Sequence, residues 1–205
     1  SCLSIISDAK NKMIYPENFL SAYGNDYLKS IYARVYAAYT EALRANNAMD
    51  FDDLIMLTVK LFNENEEILR FYQNKFRYIL VDEYQDTNHA QYSLISLLCR
   101  DNRNISVVGD DDQSIYKFRG ADIRNILEFE KEFPDAKVIR LERNYRSTQN
   151  ILDAANGVIG NNIGRKGKKL WTAEGKGEPV RIYKADNEYS CLLYTSPSPR
   201  DKRQS

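Results

Sequence analysis

The chain reads as an α/β protein with a largely parallel sheet and a helical segment ahead of it. Three observations predict this. Short apolar runs recur at residues 78–81 (YILV), 105–108 (ISVV) and 138–141 (VIRL), the lengths of strands buried on both faces. Stretches with apolar residues at helical spacing separate them. The first run also ends directly in two carboxylates, Asp82 and Glu83. Open α/β sheets bind their ligands at that place, outside the carboxyl ends of the strands.

The elements follow in order. Residues 27–46 carry Leu28, Ile31, Val35, Tyr39 and Leu43 at helical spacing, which predicts an amphipathic helix whose tyrosines serve core and rim packing. Asp50 is a candidate N-cap for a helix over 51–63, with Leu54, Leu57 and Leu61 inward. Residues 66–74 predict another helix, and 78–81 the first strand. Residues 89–99 predict a helix with Tyr92, Ile95 and Cys99 on one stripe. Residues 105–108 are a second strand, and 123–133 a helix closed by Pro134. A third strand is expected over 138–141 and a helix over 151–159. Residues 161–177, rich in Gly, Asn and Lys, read as a surface connection. Residues 180–183 read as one more strand. No internal repeat is present.

At 205 residues the chain accommodates one large domain or two small ones, and 43% hydrophobic residues suffice for a packed core. The formal net charge is zero. Without residues 191–205, which hold three basic groups and one acid, 26 basic residues face 28 acidic ones, a charge of −2. No global basic character advertises nucleic acid, although a local groove with stacking platforms needs none. Cys2 and Cys99 offer neither metal spacing nor a disulfide framework. A reducing cytoplasm is the expected compartment. The sequence contains no signal peptide and no long apolar span.

Chemistry concentrates in three strings: DEYQDTN at 82–88, VVGDDDQSIYKFRGAD at 107–122 and LERNYRST at 141–148. A bare acidic pair at a strand end is better read as a solvated turn, although such a pair can hold Mg²⁺ and polarise an attacking water. Asp110, Asp111 and Asp112 lack the spaced acids and terminal Glu of a calcium loop. The three strings together, in this order, resemble the Walker B box and two later boxes of the UvrD/PcrA/Rep-type helicases of superfamily I. DFDDLI (50–55) resembles a segment preceding the Walker B strand. SDAKNKMIYPENFL (7–20) resembles part of the accessory subdomain inserted in the first motor domain. The resemblance runs from near Ser4 to about Asn187.

That resemblance implies a RecA-like parallel sheet, part of a P-loop NTPase motor, plus a helical accessory segment. Residues 1–48 would end the accessory insertion, 49–148 would be the later half of the first motor domain, and 149–190 would begin the second. The implied activity is ATP-dependent 3′–5′ translocation on single-stranded DNA, with ATP hydrolysed between two motor domains. Single-stranded DNA and DNA junctions would be the partners, and ATP and Mg²⁺ the cofactors. By this resemblance Asp82 positions Mg²⁺ and Glu83 orients or deprotonates the attacking water. Gln113 senses the γ-phosphate, Tyr145 stacks on the adenine, and Arg146 reaches the γ-phosphate as a fixed positive fork. Tyr116, Phe118 and Arg119 grip DNA by base stacking and charge, a contact worth about 1–3 kcal/mol per base. Many relatives have Trp where Phe118 stands. Gln85 and Asp86 would link the site to neighbouring boxes, and Arg143 receives no role. His89, the only histidine, reads as helix surface or packing.

Two departures bound the reading. No GxxxxGK[ST] phosphate loop occurs in these residues. GRKG (164–167) and GKG (175–177) have the wrong spacing. An N-terminally truncated, inactive fragment is therefore expected. CLLYTSPSPRD (191–201) matches the translation of a transposase sequencing adapter, so 191–205 are expected to be read-through. A helicase–nuclease of the AddA or RecB type and an ATPase-dead DNA-binding module are the alternative readings.

Overall fold

A computed structural model describes residues 1–114, 116, 120–161, 167–182 and 184. Phe118, Arg119, Tyr183 and the expected adapter segment lie outside the described residues. The chain divides into two compact units, Ser1–Lys137 and Val138–Ser205.

The first unit begins with helices α1 (Cys2–Asn11), α2 (Phe19–Tyr23) and α3 (Tyr27–Ala45), with a 3₁₀ turn at Pro16–Asn18. Helices α4 (Phe51–Glu64) and α5 (Glu66–Lys75) lead into strand β1 (Ile79–Val81) and a 3₁₀ turn at Tyr84–Asp86. Helix α6 (His89–Cys99), strand β2 (Ile105–Val107), a 3₁₀ turn at Asp111–Gln113 and helix α7 (Arg124–Glu132) complete the unit. Capping places the helix starts. Asp50 with Asp53 and Asn88 with Gln91 form reciprocal capping boxes on α4 and α6, each satisfying backbone N–H groups that a helix start leaves unpaired.

Among the described residues, two apolar clusters stand out in the core of this unit. Ile6, Ala9, Phe19 and Tyr36 are buried together among α1, α2 and α3. Val59, Phe62, Leu69 and Leu97 are buried together among α4, α5 and α6. Between the clusters Lys10, with 1% of its side chain exposed, lies 2.7 Å from Asp50 and 2.8 Å from Asp53.

The inward faces differ from expectation. On α3 the buried stripe centres on Tyr36, while Leu28 and Val35 are exposed. On α4 Met56, Val59 and Phe62 are buried, while Leu54, Leu57 and Leu61 are exposed. Both helices carry apolar residues around more than one face. The neighbours therefore choose the stripe. Tyr36 wins because its hydroxyl also satisfies the Ile14 carbonyl at 3.1 Å. On α6, Leu97 and Cys99 are buried and Tyr92 and Ile95 half-buried.

Strands β1 and β2 are parallel neighbours, with Ile79, Leu80 and Val81 opposite Ile105, Ser106 and Val107. The ladder runs on through Val108 N–H to Val81 C=O (2.8 Å) and Tyr84 N–H to Val108 C=O (2.9 Å). The α/β class is thus borne out by a two-stranded parallel sheet in a helix-rich unit. The expected burial of both sheet faces is not, since Leu80 is 79% exposed.

In the second unit, helix α8 (Gln149–Ile159) is the main element. Asn156 exchanges hydrogen bonds with the Leu170 backbone at 3.0 and 3.3 Å, which holds part of the 161–177 connection against α8. The strands expected over 138–141 and 180–183 do not form among the described residues. Leu141 is 77% and Ile182 95% exposed. A strand exists by pairing its backbone with a neighbour, and apolar side chains alone do not supply one. Among the described residues of this unit, the pairing observed is a single bridge, Arg143 to Trp171.

Candidate functional site

Strand β1 delivers Asp82 and Glu83 at its carboxyl end, and both side chains are exposed. Asp82 Oδ1 accepts the Glu83 N–H at 2.9 Å. Glu83 is left-handed, φ 51° and ψ 39°, a conformation that costs a non-glycine residue about 1–2 kcal/mol. This kink turns the chain out of the strand and buries the next two residues, Tyr84 and Gln85.

Gln85 joins the two strand ends. Its Nε2 donates to Glu83 Oε2 at 2.7 Å, and its Oε1 accepts the Asp110 N–H at 2.9 Å. Asp110 in turn starts the turn that carries Gln113. It accepts the Asp112 N–H at 3.0 Å and Gln113 Nε2 at 2.8 Å. Gly109 leaves room for this arrangement. A Cβ there would lie 2.7 Å from Gln85 Oε1 and 2.8 Å from Ile126 Cδ1. Further along, the Thr87 carbonyl accepts the Asp122 N–H and the Asn125 side-chain amide, each at 3.0 Å. Tyr84 packs edge-on against Phe129.

The first unit thus gathers Asp82, Glu83, Gln85, Asp110 and Gln113 around the carboxyl ends of two parallel strands. Tyr116 follows with a part-exposed ring. Phe118 and Arg119 fall outside the described residues. His89 is exposed at the start of α6, its ring stacked near Tyr92. Arg124 holds the Asp122 carboxyl below its usual range by direct hydrogen bonds.

The second unit carries Tyr145 and Arg146, both exposed. Asn144 Oδ1 accepts the N–H groups of Arg146 (2.9 Å) and Ser147 (2.7 Å), an Asx turn that shapes the loop. The Arg143 guanidinium lies 4.8 Å from the Tyr145 ring centre and 5.6 Å from that of Trp171. This brace on Tyr145 escaped sequence reasoning, as did the buried position of Lys10. A solitary Arg or Lys in a helical or loop pattern carries no signal of what it will touch.

Hard carboxylate oxygens with access to water suit Mg²⁺. Asp82 fits, because its side chain is exposed and its Oδ2 has no hydrogen-bond partner among the described residues. The carboxylates of Asp110, Asp111 and Asp112 also lie close enough together to share a cation.

The acid-tipped parallel strand and the glutamine-bearing loop tied to it both lie within residues 1–134. Residues 1–134 match the UvrD/REP helicase N-terminal domain, and residues 139–196 the UvrD-like helicase C-terminal domain. The chain belongs to the UvrD/REP helicase family. It is 54% identical over 189 residues to the ATP-dependent DNA helicase PcrA of Bacillus subtilis (strain 168), covering 92% of this chain and 25% of that protein. To PcrA of Leuconostoc citreum it is 51% identical over 187 residues, again 25% of the relative. To PcrA of Staphylococcus aureus (strain COL) it is 53% identical over 186 residues. The chain spans about a quarter of the length of these curated relatives.

Among the described residues, no helix is long and apolar enough to cross a membrane.

Proposed function

We propose that these residues are part of an ATP-dependent 3′–5′ DNA helicase that couples ATP hydrolysis to movement on single-stranded DNA in repair or replication. The intact protein works in the cytoplasm on single-stranded DNA and DNA junctions. The observation that carries this reading is the hydrogen-bonded link from Glu83 through Gln85 to the loop bearing Gln113. One rigid connection joins a water-activating carboxylate to a neutral amide suited to a γ-phosphate. The names of the PcrA relatives support the ATP-dependent DNA helicase part of this reading.

Each residue then has a role. Asp82 holds Mg²⁺, which neutralises phosphate charge when bound. Glu83 orients or deprotonates the attacking water. Gln113 hydrogen-bonds the γ-phosphate without adding charge. Tyr145, braced on one side by Arg143, stacks on the adenine, and Arg146 stabilises charge developing on the transferred phosphoryl group. Tyr116, Phe118 and Arg119 hold single-stranded DNA by stacking and charge. Residues 1–48 end an accessory insertion, 49–148 are the later half of a RecA-like first motor domain, and 149–190 begin a second.

The test is Mg²⁺-dependent ATPase, with and without single-stranded DNA, in the intact protein carrying this segment. Glu83→Gln is expected to cut kcat by at least about 100-fold, the scale of a lost general base. Unwinding should need a 3′ tail. A Glu83→Gln variant with near-normal turnover, or unwinding only from 5′ tails, overturns the reading. The 205 residues alone are expected to hydrolyse no ATP, because they contain no phosphate-cradling GxxxxGK[ST] sequence.

A further inference from the structure

We infer that Gln85 is the positioning residue of this site: its buried amide sets the direction of the Glu83 carboxylate and locks it to the Gln113 loop. The inference rests on the role proposed above for Glu83.

Gln85 is 0% exposed, so both ends of its amide must be satisfied inside the protein. Its donor end faces a carboxylate oxygen of Glu83 and its acceptor end faces a backbone N–H, that of Asp110. A flipped amide would set oxygen against carboxylate and N–H against N–H, so one orientation is determined. Its own carbonyl accepts from Ser114 Oγ at 3.4 Å. An amide alone gives one donor and one acceptor at this reach. Glutamate could accept from Asp110 but could not donate to Glu83 when ionised.

Glu83 itself is exposed and sits in a left-handed kink. Gln85 is the only side-chain partner of its carboxylate among the described residues. That bond engages Oε2 and leaves Oε1 to meet a water. The path continues without a gap. Glu83 bonds to Gln85, Gln85 to the Asp110 N–H, and the Asp110 carboxylate to Gln113. Any movement of the Gln113 loop on meeting a phosphate is thereby felt at the carboxylate.

The experiment compares four forms of the intact protein: wild type, Glu83→Gln, Gln85→Glu and the double variant Glu83→Gln/Gln85→Glu. Gln85→Glu keeps the acceptor for Asp110 and sets two carboxylates against each other. We expect its kcat for ATP to fall about 10- to 100-fold, the scale of a misplaced reacting group, with KM within about twofold and a lowered Tm. In the double variant the amide and carboxylate exchange places, so the bond re-forms with its direction reversed. Its Tm should return to the wild-type value while turnover stays lost. A kcat for Gln85→Glu within about twofold of wild type, or a double variant no more stable than Gln85→Glu, overturns the inference. If Gln85→Glu does not fold, the double variant decides: restored folding upholds the pairing and continued failure overturns it. Near-normal turnover by Glu83→Gln would instead sink the proposed role of Glu83, a separate failure.

Discussion

Asn88 donates its side-chain amide to Asn11 Oδ1 at 2.6 Å, across 77 positions of sequence. Asn11 in turn donates to the Ser7 carbonyl at 2.9 Å and to Asp52 Oδ1 at 3.2 Å. The residue that caps α6, just after the acidic strand end, thus also anchors α1 and the start of α4. The leading helices and the strand end form one mechanically continuous piece.

The Asn88 linkage should be measurable. Asn88→Ser keeps an oxygen to cap α6 but loses the reach to Asn11, and should cost about 1 kcal/mol. Asn88→Ala loses both functions and should cost about 2 kcal/mol. Urea denaturation of Asn88→Ser, Asn11→Ala and their combination gives the coupling. Additive costs would show that the 2.6 Å bond contributes nothing.

Lys10→Met should cost about 3 kcal/mol or more, because it strands two carboxylates at a buried site. The pH dependence follows from the same triad. Burial pushes the Lys10 pKa down, but hydrogen bonds to Asp50 and Asp53 outweigh it and leave the pKa above the ordinary 10.5. Burial pushes the Asp50 pKa up, but Lys10, the Asp53 N–H and the Tyr39 hydroxyl outweigh it and leave the pKa below the ordinary 3.8. The Asp50 contribution is therefore complete above its unfolded pKa and lost as pH falls through the lower folded value. The Lys10 contribution is complete below its unfolded pKa and lost as pH rises through the higher folded value. Urea midpoints should decline at both extremes, and Lys10→Met should flatten both limbs. Unchanged limbs would rule out the triad as their source.

Gly109→Ala should destabilise the first unit by about 1–3 kcal/mol, the usual cost of overpacking. The added methyl would press on Gln85 Oε1 and Ile126 Cδ1. In a Gln85→Ala background the cost should shrink, since one of the two obstacles is gone. Equal costs in both backgrounds would show that Gln85 is not what excludes a side chain there.

Arg143→Ala removes the cation that braces Tyr145, an exposed contact worth about 0.5–1 kcal/mol. If Tyr145 stacks on adenine, nucleotide affinity of the intact protein should fall about two- to fivefold, as read by a fluorescent ATP analogue. Arg143→Lys should recover part of the loss. Unchanged affinity in Arg143→Ala would separate the brace from nucleotide binding.

Much of this protein was legible in its residues. The helix over 89–99 begins and ends where its spacing predicts. The capping Asp50, the two strand cores and the helices over 51–64 and 124–132 also lie within a residue or two of expectation. Such features are local, because caps, periodicity and short apolar runs depend on residues close in the chain. The motifs were legible for a similar reason, since each is a contiguous string, and the first two stand at strand ends.

The three-dimensional structure alone decided what depends on distant neighbours. It chose Tyr36 over Val35, and Met56, Val59 and Phe62 over the leucines of α4. It withheld strands at 138–141, where no backbone partner is in place among the described residues. It buried Lys10 between Asp50 and Asp53, and it turned Gln85 from one letter of DEYQDTN into the link between Glu83 and Asp110. By itself the sequence determined the helices over 51–64, 66–75 and 89–99, the two strand cores and the chemical groups at their ends. Tertiary packing decided which faces meet and which groups bond, because burial and hydrogen bonding are properties of a pair, and its second member is often tens of residues away.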